Sequence, residues 1–226
     1  MDLHSILYAF KHLDETIDHI TQAYGSASYA ILALVVFCET GLVVTPFLPG
    51  DSLLFAIGAI SMRDGSGLNP VVAGLALIAA ALLGDNVNYQ VGKAIGHRVM
   101  KSETSRIFNK KHLDKTHAFF EKYGAKTIIL ARFVPIVRTF APFVAGAGAM
   151  TYRRFLAFSA TGAVLWVSTM IGAGVVFGQF KFVKEHFDLV VVAIVAISLL
   201  PMLVEFVKAR RQIRATRTAE ASKSSD

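Results

Sequence analysis

The chain has 226 residues, 54% of them hydrophobic, a formal net charge of +7 and a single cysteine, Cys38. That apolar share and a mean hydropathy of +0.53 exclude an ordinary soluble domain and point to a polytopic membrane protein. One cysteine excludes an internal disulfide or a thiol metal cluster; the apolar runs hold no paired metal-ligand spacing, so neither metal nor other cofactor is expected.

The first thirty residues lack a basic stretch followed by a short apolar core, so no cleavable signal peptide is expected. Leu3, Ile6, Leu7, Phe10, Leu13, Ile17 and Ile20 form a stripe at helical spacing opposite Asp14, Glu15 and Asp18, which predicts a helix in the membrane interface plane or capping the bundle. Apolar runs follow at about 28–62, 69–91, 125–150, 155–180 and 189–207. A bilayer core about 30 Å thick takes about 20 helical residues, which the second, fourth and fifth runs supply. The first is interrupted by "TPFLPGD", with Pro46, Pro49 and Gly50, and the third by Pro135 and Pro142. Proline lacks a donor and disfavours helix in the residue before it. Both runs therefore read as re-entrant hairpins, with tips near 45–50 and 134–142. Irregular backbone at membrane depth needs protein or a wet cavity around it, so the two tips are expected to face each other inside the bundle.

The two halves look like copies. "HLDETIDHITQAYG" at 12–25 and "HLDKTHAFFEKYG" at 112–124 share HLD-x-T and YG. Counted from those YG pairs, Glu39 and Arg138 occupy equivalent positions, so the two units carry opposite charges at one site. Each unit closes with a helix bearing G-x-x-x-G, at Gly92 and Gly96 and at Gly174 and Gly178, a weak signal in membrane helices. With both hairpins re-entrant, Lys11, Arg63, Lys181 and Lys184 share one side. The larger basic set, from Lys93 to Lys126, Arg153, Arg154 and the tail, shares the other. The positive-inside rule then puts the C-terminus in the cytoplasm. The expected organisation is one all-α membrane domain over 1–207, with repeats at about 3–96 and 106–178 and an extra helix at 189–207. A basic, disordered tail at 208–226 would be drawn to anionic lipids of the cytoplasmic face. Basic residues are not interleaved with aromatics, so no nucleic-acid partner is expected. No pattern specifies an oligomeric state.

The pair "FCETGLVVTPFLPGDSLLF" and "ILARFVPIVRTFAPFVAGAGAM", with "GDNVNYQVG" between them, resembles the DedA family of bacterial inner-membrane proteins over about residues 1–207. The resemblance implies a lipid translocase in the inner membrane. Relatives move undecaprenyl phosphate or phosphatidylethanolamine between leaflets in dependence on the proton-motive force. The family's acidic pair maps onto Glu39 and Asp51 and its arginine pair onto Arg132 and Arg138.

Physical chemistry gives those four residues a role of its own. An ionisable group at the bilayer centre costs at least about 2.5–3.5 kcal/mol on insertion scales, so the four are expected to meet. Two planar guanidiniums suit the oxygens of a phosphate. Glu39 and Asp51 would hold Arg132 and Arg138 while the site is empty and bind protons when an anionic head group displaces them. The competing readings are a structural ion pair and, for Asp51, a cap on the helix starting at Ser52. Asp85, Asn86, Asn88 and Tyr89 form a further polar group. Asp85 and Asn88 share a face and would line the lipid path or, more blandly, satisfy broken backbone. Trp166 and the aromatics near Phe155 are assigned to an interfacial belt or to bundle packing. Three rivals remain. A lipid phosphatase is disfavoured because all seven histidines lie outside the expected spans; an oxyanion importer and a non-transporting envelope organiser stay open.

Overall fold

The computed structural model describes residues 13–41, 50–63, 65–101, 116, 120–187 and 189–194. The expected tip at 45–49 with Pro46 and Pro49, the start of the amphipathic stripe, most of the second repeated motif, most of the last apolar run and the tail lie outside them.

Helix α1, Leu13–Tyr24, ends at Gly25, whose φ of 51° a side chain would resist, and a 3-10 turn over Gly25–Ala27 leads into α2, Ser28–Gly41. The second YG pair does the same: Gly124 has φ 57°, and a 3-10 turn over Gly124–Lys126 leads into α5, Thr127–Ala131. The repeated motif thus encodes a repeated turn.

Helix α3 is Gly50–Ile60 and α4 is Pro70–Lys101. Asn69 starts α4: its side-chain oxygen accepts from Val71 N at 2.9 Å and Val72 N at 3.2 Å, and Pro70 takes the first helical position. At 32 residues, α4 runs roughly 48 Å, about ten residues beyond the apolar run that predicts it. Helix α5 stops where Val134, held extended ahead of Pro135, breaks the chain. Helix α6, Pro135–Val144, then widens into a π-helical segment, Ala145–Ala149. The break expected at Pro142 is absent. Pro142 lies within α6, and the helix goes on to a 3.2 Å bond from Met150 N to Ala145 O, ending beside Gly148, whose φ is 129°. Helix α7 is Tyr152–Phe177 and the short α8 is Lys181–Glu185.

Three stretches are long and apolar enough to cross a bilayer: Glu15–Gly41, Pro70–Ile95 and Tyr152–Phe177. The chain is a helical membrane protein. The first stretch differs from expectation, which counted no full crossing there. It reaches its length only by adding α1 to α2 across the Gly25 turn; α2 alone has 14 residues.

Helix α2 packs along α4, and α3 along α7. Helix α6 and its π segment pack on α4, and α5 on α7. Close approach at two of these crossings is made by glycine. A Cβ on Gly58 would run into Ile171 O, and one on Gly174 into Phe55 O. Likewise a Cβ on Gly146 would run into Tyr89 O, and one on Gly92 into Phe143 O. Two apolar clusters result. Along α4 the first includes Leu77 and Ala81 and the second begins at Tyr89; along α7 Phe155 belongs to the second, Ala163 and Trp166 to the first. The stretches left between them, with Asp85 and Asn88 on α4 and Ser159 on α7, form a polar layer part-way along both helices.

Candidate functional site

Arg138, in the second turn of α6, presents its two terminal nitrogens to two carboxylates. Nη2 lies 2.5 Å from Glu39 Oε1, near the end of α2, and Nη1 lies 3.0 Å from Asp51 Oδ1, in the first turn of α3. Glu39 is 2% exposed, and its carboxylate lies against Gly50, where any Cβ would overlap Oε2. Gly50, the first residue of α3, therefore serves close approach to Glu39. Asp51 also lies within α3, not ahead of it, and its Oδ1 accepts a 2.7 Å bond from Trp166 Nε1.

Arg132 takes a different partner from the one expected. It closes α5 and binds Asp85 of α4 through Nη2 at 2.5 Å, while Ser159 Oγ donates to the same Asp85 Oδ2 at 2.6 Å. Glu39 and Asp51 both pair with Arg138 instead. The reason lies in the break before Pro135, which places Arg132 against α4 and α7 and Arg138 against α2 and α3. Gly162 of α7 lets the Arg132 stem lie close to the helix backbone, since a Cβ there would stand 3.1 Å from Cδ and Nε. Arg132 is 3% exposed, and its Nε and Nη1 have no hydrogen-bond partner.

Trp166, the only tryptophan, stands between the two assemblies, its ring centroid 5.1 Å from Arg138 Cζ and 5.9 Å from Arg132 Cζ. It is fully buried, so it belongs to the bundle interior and not to an interfacial belt. Sequence reasoning missed it and Ser159 as site residues. A lone tryptophan seven residues from a serine, both on α7, was the available signal. Asn88 donates to Thr139 O at 2.8 Å, and Tyr89 OH to Met150 O at 3.1 Å. Both bonds go to backbone carbonyls, of Thr139 within α6 and of Met150 just after the π-helical segment. Asp85 does something else by neutralising Arg132. Pro135 opens α6, as a residue lacking a donor can. No group of three or more metal-ligating side chains occurs among the described residues.

The family model described as the VTT domain matches residues 48–176. The chain is 49% identical to Protein DedA of Escherichia coli over 212 residues, 93% of this chain and 97% of the relative. The chain belongs to the DedA family. It is also similar to an uncharacterized membrane protein of Mycobacterium tuberculosis, 45% identical over 199 residues, 88% of this chain and 86% of that one. To inner membrane protein YghB of Salmonella typhimurium it is 33% identical over 191 residues, 81% and 86% of the two chains. No solved structure matches. The matched domain contains Asp51, Asp85, Arg132, Arg138, Ser159 and Trp166, whereas Glu39 precedes it.

Proposed function

We propose that this DedA-family protein is a translocase for a phosphate-bearing lipid, foremost undecaprenyl phosphate, in the bacterial inner membrane, driven by the proton-motive force. The observation that carries it is a pair of arginines inside the bundle, Arg132 buried and Arg138 partly buried and clamped by two carboxylates, in a polar layer between two apolar clusters. A guanidinium at such depth has one ready class of mobile partner, an oxyanion, and a fork of two terminal nitrogens fits it. Counted formally, the layer holds three carboxylates, Glu39, Asp51 and Asp85, against two guanidiniums, an excess of one negative charge. An arriving phosphate deepens that excess in a medium of low dielectric, so its binding should be accompanied by proton uptake at the displaced carboxylates.

The architecture we propose with this reading is an inverted repeat of two re-entrant hairpins, C-terminus in the cytoplasm. What supports it is the matched turn at Gly25 and Gly124 and the matched glycine crossings. In each crossing a glycine on a long helix, Gly174 or Gly92, faces a phenylalanine carbonyl, Phe55 or Phe143, and the glycine three residues later, Gly58 or Gly146, faces a carbonyl of the long helix. Inverted repeats of this kind place a site at mid-membrane and expose it to each face in turn.

The test is transbilayer movement of undecaprenyl phosphate and of phosphatidylethanolamine in proteoliposomes, with and without a pH gradient. Undecaprenyl phosphate should move faster, and faster still with the gradient. Arg138→Lys keeps the charge and loses the fork, so head-group movement should fall about tenfold or more. Full activity of that variant would remove the bidentate role. Preference for phosphatidylethanolamine would change the cargo, uptake of inorganic phosphate alone would favour an oxyanion importer, and no movement of any would favour an envelope organiser.

A further inference from the structure

The two arginines are not equivalent in this resting arrangement. Both terminal nitrogens of Arg138 are engaged by carboxylates, and its trio of Glu39, Asp51 and Arg138 is formally negative. The partners of Arg132 lie on one side only. Asp85 and Ser159 meet Nη2, leaving the Nε hydrogen and the two Nη1 hydrogens without an acceptor. Burying a donor with no acceptor is costly, and here it occurs on a cation that is only 3% exposed. Its pair with Asp85 is formally neutral, so it does not repel an incoming anion as the Arg138 trio does.

We infer that Arg132, held from one side by Asp85 and Ser159, is the resting docking point for a phosphate monoester, and that Arg138 engages the same group only afterwards. The inference rests on the translocase reading and deepens it by giving the site an order. An oxyanion bridging Nη1 and Nη2 shares the guanidinium with Asp85, so docking needs no ion pair to break. Reaching Arg138 requires Glu39 or Asp51 to let go, which is the step that takes up a proton. Trp166, in contact with both guanidiniums, marks the boundary between the two stages. Asp85 is a positioning residue: it fixes the guanidinium and offsets its charge, and so sets how tightly the anion is held.

The experiment is equilibrium binding of inorganic phosphate and of farnesyl phosphate to the purified full chain in phosphatidylcholine nanodiscs, by calorimetry, with Trp166 fluorescence as a second readout. The Arg132→Gln, Asp85→Asn double variant removes both charges and leaves no orphaned ion; it should weaken binding at least about tenfold. Arg138→Gln with Glu39→Gln should change it less than about threefold. Asp85→Asn alone keeps an acceptor for Arg132 and removes the competing charge, so binding should tighten about tenfold. Tightening is a result that structural damage does not give. Loss of binding in the Arg138 variant with retention in the Arg132 double variant overturns the docking order, as does weaker binding by Asp85→Asn. Absence of binding by the parent protein to either probe overturns the anion reading itself. Tighter binding of farnesyl phosphate than of inorganic phosphate supports a lipid cargo, and the reverse supports a free oxyanion; the variant pattern decides the order for whichever probe binds.

Discussion

The crossing of α3 with α7 and that of α4 with the end of α6 are built from the same parts, yet the charged groups they bring inside are opposites. In both, a Phe carbonyl meets a glycine on a long helix, and a glycine three residues after the Phe meets a carbonyl of that long helix. But α2 carries Glu39 on an unbroken helix and α3 adds Asp51, whereas the chain breaks between Arg132 and Arg138 and sends them to different partners. The lesson is that backbone contact and charge are set independently. Glycines fix how closely the helices cross; the break before Pro135 fixes which carboxylate each arginine meets.

The largest expected effect would break the charge side of this comparison. Arg132→Gln strands Asp85, 5% exposed, without its cation and should cost about 3–5 kcal/mol of stability. Adding Asp85→Asn should restore most of it, as read by thermal unfolding in detergent. If the single and double variants unfold together, the pair carries no such penalty.

Next come the crossings. Gly174→Leu and Gly92→Leu each force a side chain into a backbone carbonyl and should cost about 1–3 kcal/mol or more, by similar amounts. A large loss at one and none at the other would show that the two crossings are alike in geometry only.

Trp166→Phe sharpens the comparison from within the site. It keeps a ring between the arginines and removes the Nε1 donor, leaving Asp51 one charge-assisted bond short, a cost of about 1.5–3 kcal/mol. The Arg138 assembly should loosen and the Arg132 assembly should not. Equal weakening of phosphate binding at Arg132 would contradict that separation.

A functional contrast follows. Glu39→Gln should abolish stimulation of lipid movement by a pH gradient and eliminate lipid-dependent proton uptake, and Asp51→Asn should do so in part. Parent-like behaviour of both variants in both assays would make the acids purely structural.

The smallest effect belongs to the periphery. Arg63 lies 3.4 Å from Asp18 and 5.3 Å from the Phe187 ring centroid, and is about one-third exposed. Arg63→Gln should therefore cost less than about 1 kcal/mol, with transport unchanged. A drop as large as that of Arg132→Gln would mean that the outer contacts hold the bundle as strongly as the inner ones.

Much of this was legible in the sequence because it depends on near neighbours. Apolar run length gave the long helices at Pro70 and Tyr152, and Pro135 gave the break before α6; the YG pairs were legible as a repeat, and the structure shows that what they repeat is a turn at Gly25 and Gly124. Pro142 misled because a proline inside a helix removes only the one bond to the carbonyl four residues earlier, and the helix here runs on through it. Glu39, Asp51, Arg132 and Arg138 were evident as charges too costly to leave alone in a membrane. Their pairing was not evident. Helical periodicity says which residues share a face, but Arg132 and Asp85 are 47 residues apart, Arg138 and Asp51 are 87, and Arg138 and Glu39 are 99. Those meetings depend on how separate helices cross, and a crossing is decided by packing between elements that carry no local record of one another. The sequence by itself determined that opposite charges must meet inside this membrane bundle. Only the tertiary structure decided that Arg138 is held by two carboxylates, Arg132 by one, and that Trp166 stands between them.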